Sequence, residues 1–254
     1  MFDRTSYTNK AIKYIIDDGI IEYDIKSAGF NICKQFNLLN KETIEKLELL
    51  DKKERHITLG KLQLTIPSLT EKLKLGFQKC REAFFKHNMI FDSDILSIKK
   101  DAIFVINKKC KHLKFGKYIE FIPKHTFHSY LYLNNNEFYI GDNDYACKGI
   151  KDELLHLHED YMIALIIKFT NLLRLSSKTK QIRFITNFSK DYRNRELEVG
   201  FYRELNNQSL FRPITPINIM NNNFGYTEFE LSPKYLDISY NYSNYLVPLY
   251  QILV

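Results

Sequence analysis

The chain has 254 residues, 44% apolar and 14% aromatic, and its 37 Lys and Arg against 30 Asp and Glu leave a net charge of +7. That is ordinary globular composition, long enough for one large domain or a core with an appended lobe, and a buried core is expected. No apolar run reaches the roughly 18 residues of a membrane span, the N-terminus lacks the basic-then-apolar order of a secretory signal, and the positive excess favours polyanionic partners. Cys33, Cys80, Cys110 and Cys147 are too dispersed for a zinc ribbon or a disulfide framework. A soluble cytoplasmic protein with reduced thiols and no membrane partner is the expectation.

Residues 9–16 predict a short helix, closed by the Asp17-Asp18-Gly19 turn. Ile21, Tyr23 and Ile25 then alternate with Glu22, Asp24 and Lys26, the period of a half-buried strand with one packed and one charged face. Ser27 and Asn40 are placed to cap helices over 28–38 and 41–50. Residues 52–62 are basic and helical, Pro67-Ser68 breaks the chain, and Leu69, Leu73, Phe77, Cys80 and Phe84 follow as one apolar stripe. Short β runs at 95–98 and 102–106 flank Lys99-Lys100-Asp101, which predicts a hairpin with Asp101 at or beside its tip.

A basic tract covers 108–117, followed by β runs at 118–122, 129–133 and 137–140, with Asn134-Asn135-Asn136 as the turn between the last two. A second strong helix is predicted over 152–175 and further strands at 182–185, 197–202 and 227–231. His156, His158, Glu159 and Asp160 read as a helix surface, because residues two apart on a helix point in different directions. Asp142-Asn143-Asp144 reads as a turn, lacking the glycine and late glutamate of a calcium loop. The tail tyrosines (Tyr235, Tyr240, Tyr242, Tyr245, Tyr250) read as core or an oligomer interface ahead of a base-stacking platform.

Asp24 and Asp101 are the candidate chemistry. Alone, each has a bland reading: a solvated residue on an edge strand, and an ordinary hairpin turn. Together, at a strand end and on a hairpin, they suit a two-metal site for phosphoryl transfer, where carboxylates and substrate phosphates share Mg²⁺ or Mn²⁺. A metal nuclease would use the same pair.

Asp24-Ile-Lys-Ser27-Ala-Gly-Phe-Asn-Ile32 resembles motif A of family-B DNA polymerases, and Asp24, Gly29, Phe30 and Asn31 resemble that of phage-type single-subunit RNA polymerases. Ser97-Ile-Lys-Lys-Asp101-Ala-Ile-Phe-Val105 looks like motif C, with Lys99 in the place of the first family-B acid. Lys52-Lys-Glu-Arg-His-Ile-Thr-Leu59-Gly60 is similar to motif B, with Leu59 where a tyrosine is usual. The resemblance covers roughly residues 20–110, in the order A, B, C.

It implies an α+β fold: a polymerase-palm-like antiparallel sheet with helices on one face and short helical fingers over 1–110, and a mixed thumb-like or nucleic-acid-binding lobe over 111–254. By the same resemblance Asp24 and Asp101 are catalytic and metal-binding, and Lys52, Lys53 and Arg55 bind the triphosphate. Gly29 and Phe30 face the sugar, and Lys99, Lys100, Lys108, Lys109 and Lys111 contact nucleic acid. Gly29 stands where family-B enzymes carry the tyrosine that rejects ribose, so the product sugar stays open. The implied function is a minimal template-directed DNA or RNA polymerase, with primer–template and nucleoside triphosphates as partners. The alternative is an inactive palm-like nucleic-acid-binding protein of a phage or mobile-element replication complex, acting with other replication proteins in the host cytoplasm.

Overall fold

A computed structural model describes residues 6–133, 135–150, 161, 163–194 and 196–198. Contacts divide the chain into two units, one of residues 1–11 and 18–126 and the other of residues 12–17 and 127–254. Each is α+β with an antiparallel sheet.

The first unit contains β1 (Ser6–Thr8), β3 (Ile20–Ile25), α1 (Ala28–Gln35), α2 (Lys41–Glu48), α3 (Lys52–Thr65), α4 (Leu69–His87), β4 (Ile95–Lys99), β5 (Ala102–Ile106), β6 (Lys114–Phe115) and β7 (Ile119–Phe127). β2 (Tyr14–Ile15) belongs to the second unit. The sheet order is β1-β4-β5-β3-β7-β6. β6 and β7 extend the first unit to residue 126, past the division at 110 that the sequence suggested.

Strand alternation decides what the sheet covers. Tyr23 is opposite Ile103, which is also opposite Ile98, and these join Ile25 and Val105 in one buried cluster with Phe30, Leu59, Leu73, Cys80 and Phe84 from the helices. The helices therefore lie on one face, as the resemblance implied. Phe84 is the hub: its ring stacks on Phe121 at 4.2 Å and tilts against Tyr23 at 5.2 Å. Gly76 is what lets α4 meet α1, because a Cβ there would overlap the Ile32 side chain.

The helix ends follow local chemistry. Asn40 caps α2 by accepting from the Thr43 amide at 2.8 Å, and Asp51 and Glu54 form a capping box at the start of α3. A helix does start at Ala28, but Ser27 makes no side-chain cap; it turns the chain with φ of +46° instead.

The second unit contains β2, β8 (Ser129–Leu133), β9 (Asn136–Ile140), β10 (Tyr145–Lys148), α5 (Ala164–Leu175) and α6 (Lys178–Asn194), with sheet order β10-β9-β8-β2. Leu131, Leu133, Phe138 and Ile140 bury one face against Ile166, Phe169, Ile185 and Phe188.

Two sequence expectations are corrected. Residues 9–16 form no helix: the Asn9 amide donates to the Leu96 carbonyl of β4 and Tyr14–Ile15 pairs with β8, since eight isolated residues nucleate a helix poorly and sheet partners are available. Residues 182–185 are no strand but part of α6, where Ile185 and Phe188 return to the core at helical spacing. The His156–Asp160 cluster, the run at 227–231 and the tyrosine tail lie outside the described residues, as does most of 197–202.

Candidate active site

Asp24 sits at the end of β3, in register opposite Ala102. The residue before Ala102 is Asp101, second of the two residues that close the β4–β5 hairpin, whose strands pair up to Lys99 and Ala102. Lys100 has φ of +55° and Asp101 does not enter that region, so a non-glycine residue takes the left-handed position that closes the hairpin. From beneath, the buried Arg81 of α4 donates from Nη1 to the Lys100 carbonyl at 3.0 Å. The tip that carries Asp101 is thus fixed to the helical layer.

The two carboxyls meet. Burial raises the Asp24 carboxyl above the usual carboxylate range, and the neighbouring Asp101 carboxylate pushes the same way. Lys124 of β7 opposes this, its Nζ lying 3.8 Å from Asp24 Oδ2. Asp24 Oδ1 is shut away from solvent without a hydrogen-bond partner. An oxygen in that state, beside a second carboxylate, has the chemistry of a cation ligand. Among the described residues no group of three or more His, Cys, Asp or Glu is arranged to hold a metal ion, so any ion here would complete its shell with water and substrate oxygens.

The remaining candidates fall into separate places. Gly29 and Phe30 open α1, and the space where a Gly29 Cβ would stand faces Leu59 Cδ1 of α3 at 3.8 Å. Arg55 lies over the Phe30 ring at 4.6 Å and donates to the Leu47 and Leu50 carbonyls at 2.9 and 2.8 Å, closing the end of α2. Lys52 and Lys53 are exposed in the first turn of α3. Lys99 Nζ donates to Thr8 Oγ1 at 3.0 Å, while Lys100 shares the tip with Asp101.

Lys108, Lys109 and Lys111 follow the other end of β5. The five residues of that strand separate them from the aspartate pair by about 17 Å at ~3.4 Å per residue. Lys108 is engaged there, contacting Met89 O and pairing with Asp94 at 3.0 Å.

Sequence reasoning missed Lys124 and Arg81. Lys124 carried no signal, being one cation in a polar stretch of β7. Arg81 had one: it directly follows Cys80 in an apolar stripe, and a cation that falls on a packed helix side needs a buried acceptor.

No described helix is long and apolar enough to cross a membrane. No curated protein matches the chain. A family model described as Bacteriophage PBS1 gene 130 protein matches residues 1–254, and the chain belongs to that phage-protein family.

Proposed function

We propose that this phage protein is a metal-dependent nucleotidyltransferase of the template-directed polymerase kind. The observation that carries the reading is the meeting of Asp24 with Asp101 at a strand end and a hairpin tip, with Asp24 Oδ1 buried and unpartnered. Asp24 and Asp101 would hold Mg²⁺ or Mn²⁺, which when bound activates a 3′-hydroxyl and steadies the leaving pyrophosphate. Arg81 keeps Asp101 in place through the turn carbonyl. Lys124 offsets the paired negative charge in the metal-free protein and can turn to an incoming phosphate.

Lys52 and Lys53 are the triphosphate contacts in this reading, whereas Arg55 has a capping role that occupies its guanidinium. The first unit takes the palm and short fingers, and the second a thumb-like lobe. The protein would act in the host cytoplasm, on primer–template and nucleoside triphosphates.

The test is incubation with labelled primer–template, Mg²⁺ or Mn²⁺, and dNTPs or NTPs. Extension is expected, with a loss of ~100-fold or more in Asp24→Ala or Asp101→Ala. Extension that persists in both variants would sink the assignment, and strand shortening in place of extension would identify a nuclease. One observation favours the inactive nucleic-acid-binding alternative: the Lys124 ammonium already neighbours Asp24. That reading expects salt-sensitive binding without turnover under any metal.

A further inference from the structure

We infer that residues 86–91 and 108–114 of the first unit form a binding surface for single-stranded nucleic acid, at the end of the sheet away from the aspartate pair. The inference sharpens the nucleic-acid reading but does not depend on catalysis by Asp24 and Asp101.

Three features build the surface. The first is a fixed backbone. The buried Asn88 amide donates to the Phe84 and His112 carbonyls and accepts from the Lys111 and His112 amides, at 2.8 to 3.1 Å. Tyr23 holds the other side, accepting from the Cys110 amide at 2.7 Å and donating to the Lys108 carbonyl at 3.2 Å.

The second feature is cations. Lys86, Lys109 and Lys111 are exposed, while Lys108 offsets Asp94 and Lys114 lies 3.6 Å from Glu120. Asp92 and Glu82 are the other nearby acids.

The third is open rings. Phe91 is 66% exposed, with the Lys108 ammonium 5.2 Å from its centroid. The exposed His87 ring lies 6.3 Å from that of His112.

Lysines between exposed rings on an immobile backbone fit unpaired bases, which stack on rings while their phosphates meet the cations. A duplex hides its base faces and has no use for an open phenyl ring. A membrane surface would call for a longer apolar face than Met89 and Phe91 provide. Because the loop is already held, little ordering entropy is lost on binding.

The experiment uses the full chain and fluorescence anisotropy, with oligo(dT) of about 20 nucleotides and a duplex of equal length, between ~50 and ~200 mM KCl. Anionic phosphatidylserine vesicles are titrated in parallel. Oligo(dT) is expected to bind ~10-fold tighter than duplex. Phe91→Ala should weaken oligo(dT) by ~10-fold and leave duplex within about twofold. Lys109→Glu with Lys111→Glu should lower the log–log salt slope by ~1–2.

Circular dichroism verifies that these surface variants fold. Unchanged oligo(dT) affinity in folded Phe91→Ala, equal affinity for duplex, or vesicle binding lost with the same substitutions each overturns the proposal. Metal binding is read separately, by thermal shift with Mn²⁺, so failure at the aspartate pair leaves this result interpretable.

Discussion

Asp24 lies opposite Ala102 and feels the charge of Asp101, the turn residue just before it, and Lys124 is the cation beside Asp24, 3.8 Å from its Oδ2. The folded state holds Asp24 above its ordinary carboxylate range. Between the unfolded and folded values the folded protein binds more protons, so stability falls as pH rises through that window. Asp24→Asn and Asp101→Asn are therefore expected to stabilise the metal-free protein at neutral pH by ~0.5–2 kcal/mol, a Tm rise of a few degrees. Mn²⁺ should raise the Tm of the wild type and not of either variant. A lower Tm in both variants would remove the case for a strained carboxylate pair.

Arg81 offers a second test. It is buried at 1% exposure beneath the turn it serves. Arg81→Met keeps the apolar stem and strips the donor from the Lys100 carbonyl, at an expected cost of ~2–4 kcal/mol. Urea unfolding measures the cost. The same variant should lose part of the Mn²⁺ shift, because Asp101 is carried by that turn.

Tyr23 should show itself at alkaline pH. Burial pushes its phenol up to about 12 from an ordinary value near 10.0, against the hydrogen bond with the Cys110 backbone and with the Cys110 thiol adding to the rise. Above pH ~10 the unfolded chain releases this proton and the folded one keeps it until about 12. Stability should fall by up to ~1.4 kcal/mol per pH unit across that window. Tyr23→Phe should lose that slope and cost ~1–2 kcal/mol at neutral pH, where the Cys110 amide is left unpaired. Unfolding curves from pH 9 to 11.5 separate the two effects.

In the second unit, Arg174 Nη1 lies 3.1 Å from His128 Nε2 and its Nε and Nη2 donate to Asp17 Oδ1 at 3.2 and 3.0 Å. A guanidinium only donates, so Nε2 accepts and the ring proton sits on Nδ1, facing Ser129 Oγ at 2.8 Å. Burial and then Arg174 pull His128 below its ordinary value, against Asp142, the Gly141 backbone and Asp17. The unfolded chain binds the proton first, so the stability this residue gives is present above its unfolded value near 6.5 and is lost as pH falls through the folded value. His128→Asn should flatten the stability profile between pH ~5 and ~7, measured by urea titration.

Much of the first unit could be read from residue order. Alternation through Tyr23 and Asp24 marked the strand and its Tyr23 face, although Glu22, expected on a charged face, is buried; the Leu69–Phe84 stripe marked the longest described helix, and Lys99–Ala102 announced the hairpin. What stayed hidden were relations set by pairing. Lys108 reads as a neighbour of Asp101 in sequence, yet strand β5 carries it to the opposite end. Arg55 looks like a phosphate ligand until the end of α2 is seen to claim it. Residues 182–185 failed for another reason: a short apolar run carries too few turns to separate period 2 from 3.6.

Tyr23 and Asp24 are adjacent in the chain and serve opposite sides of one sheet. The tyrosine reaches through the core to hold the Lys108–Cys110 backbone, and the aspartate sits in the carboxylate pair on the other side. A single-residue insertion or deletion between Ile20 and Tyr23 would exchange the two, burying a charge among Phe84 and Phe121 and putting a phenol beside Asp101. Length variation in β3 is thus closed off as a route of divergence, whereas the loop after α1 can change length without touching either residue.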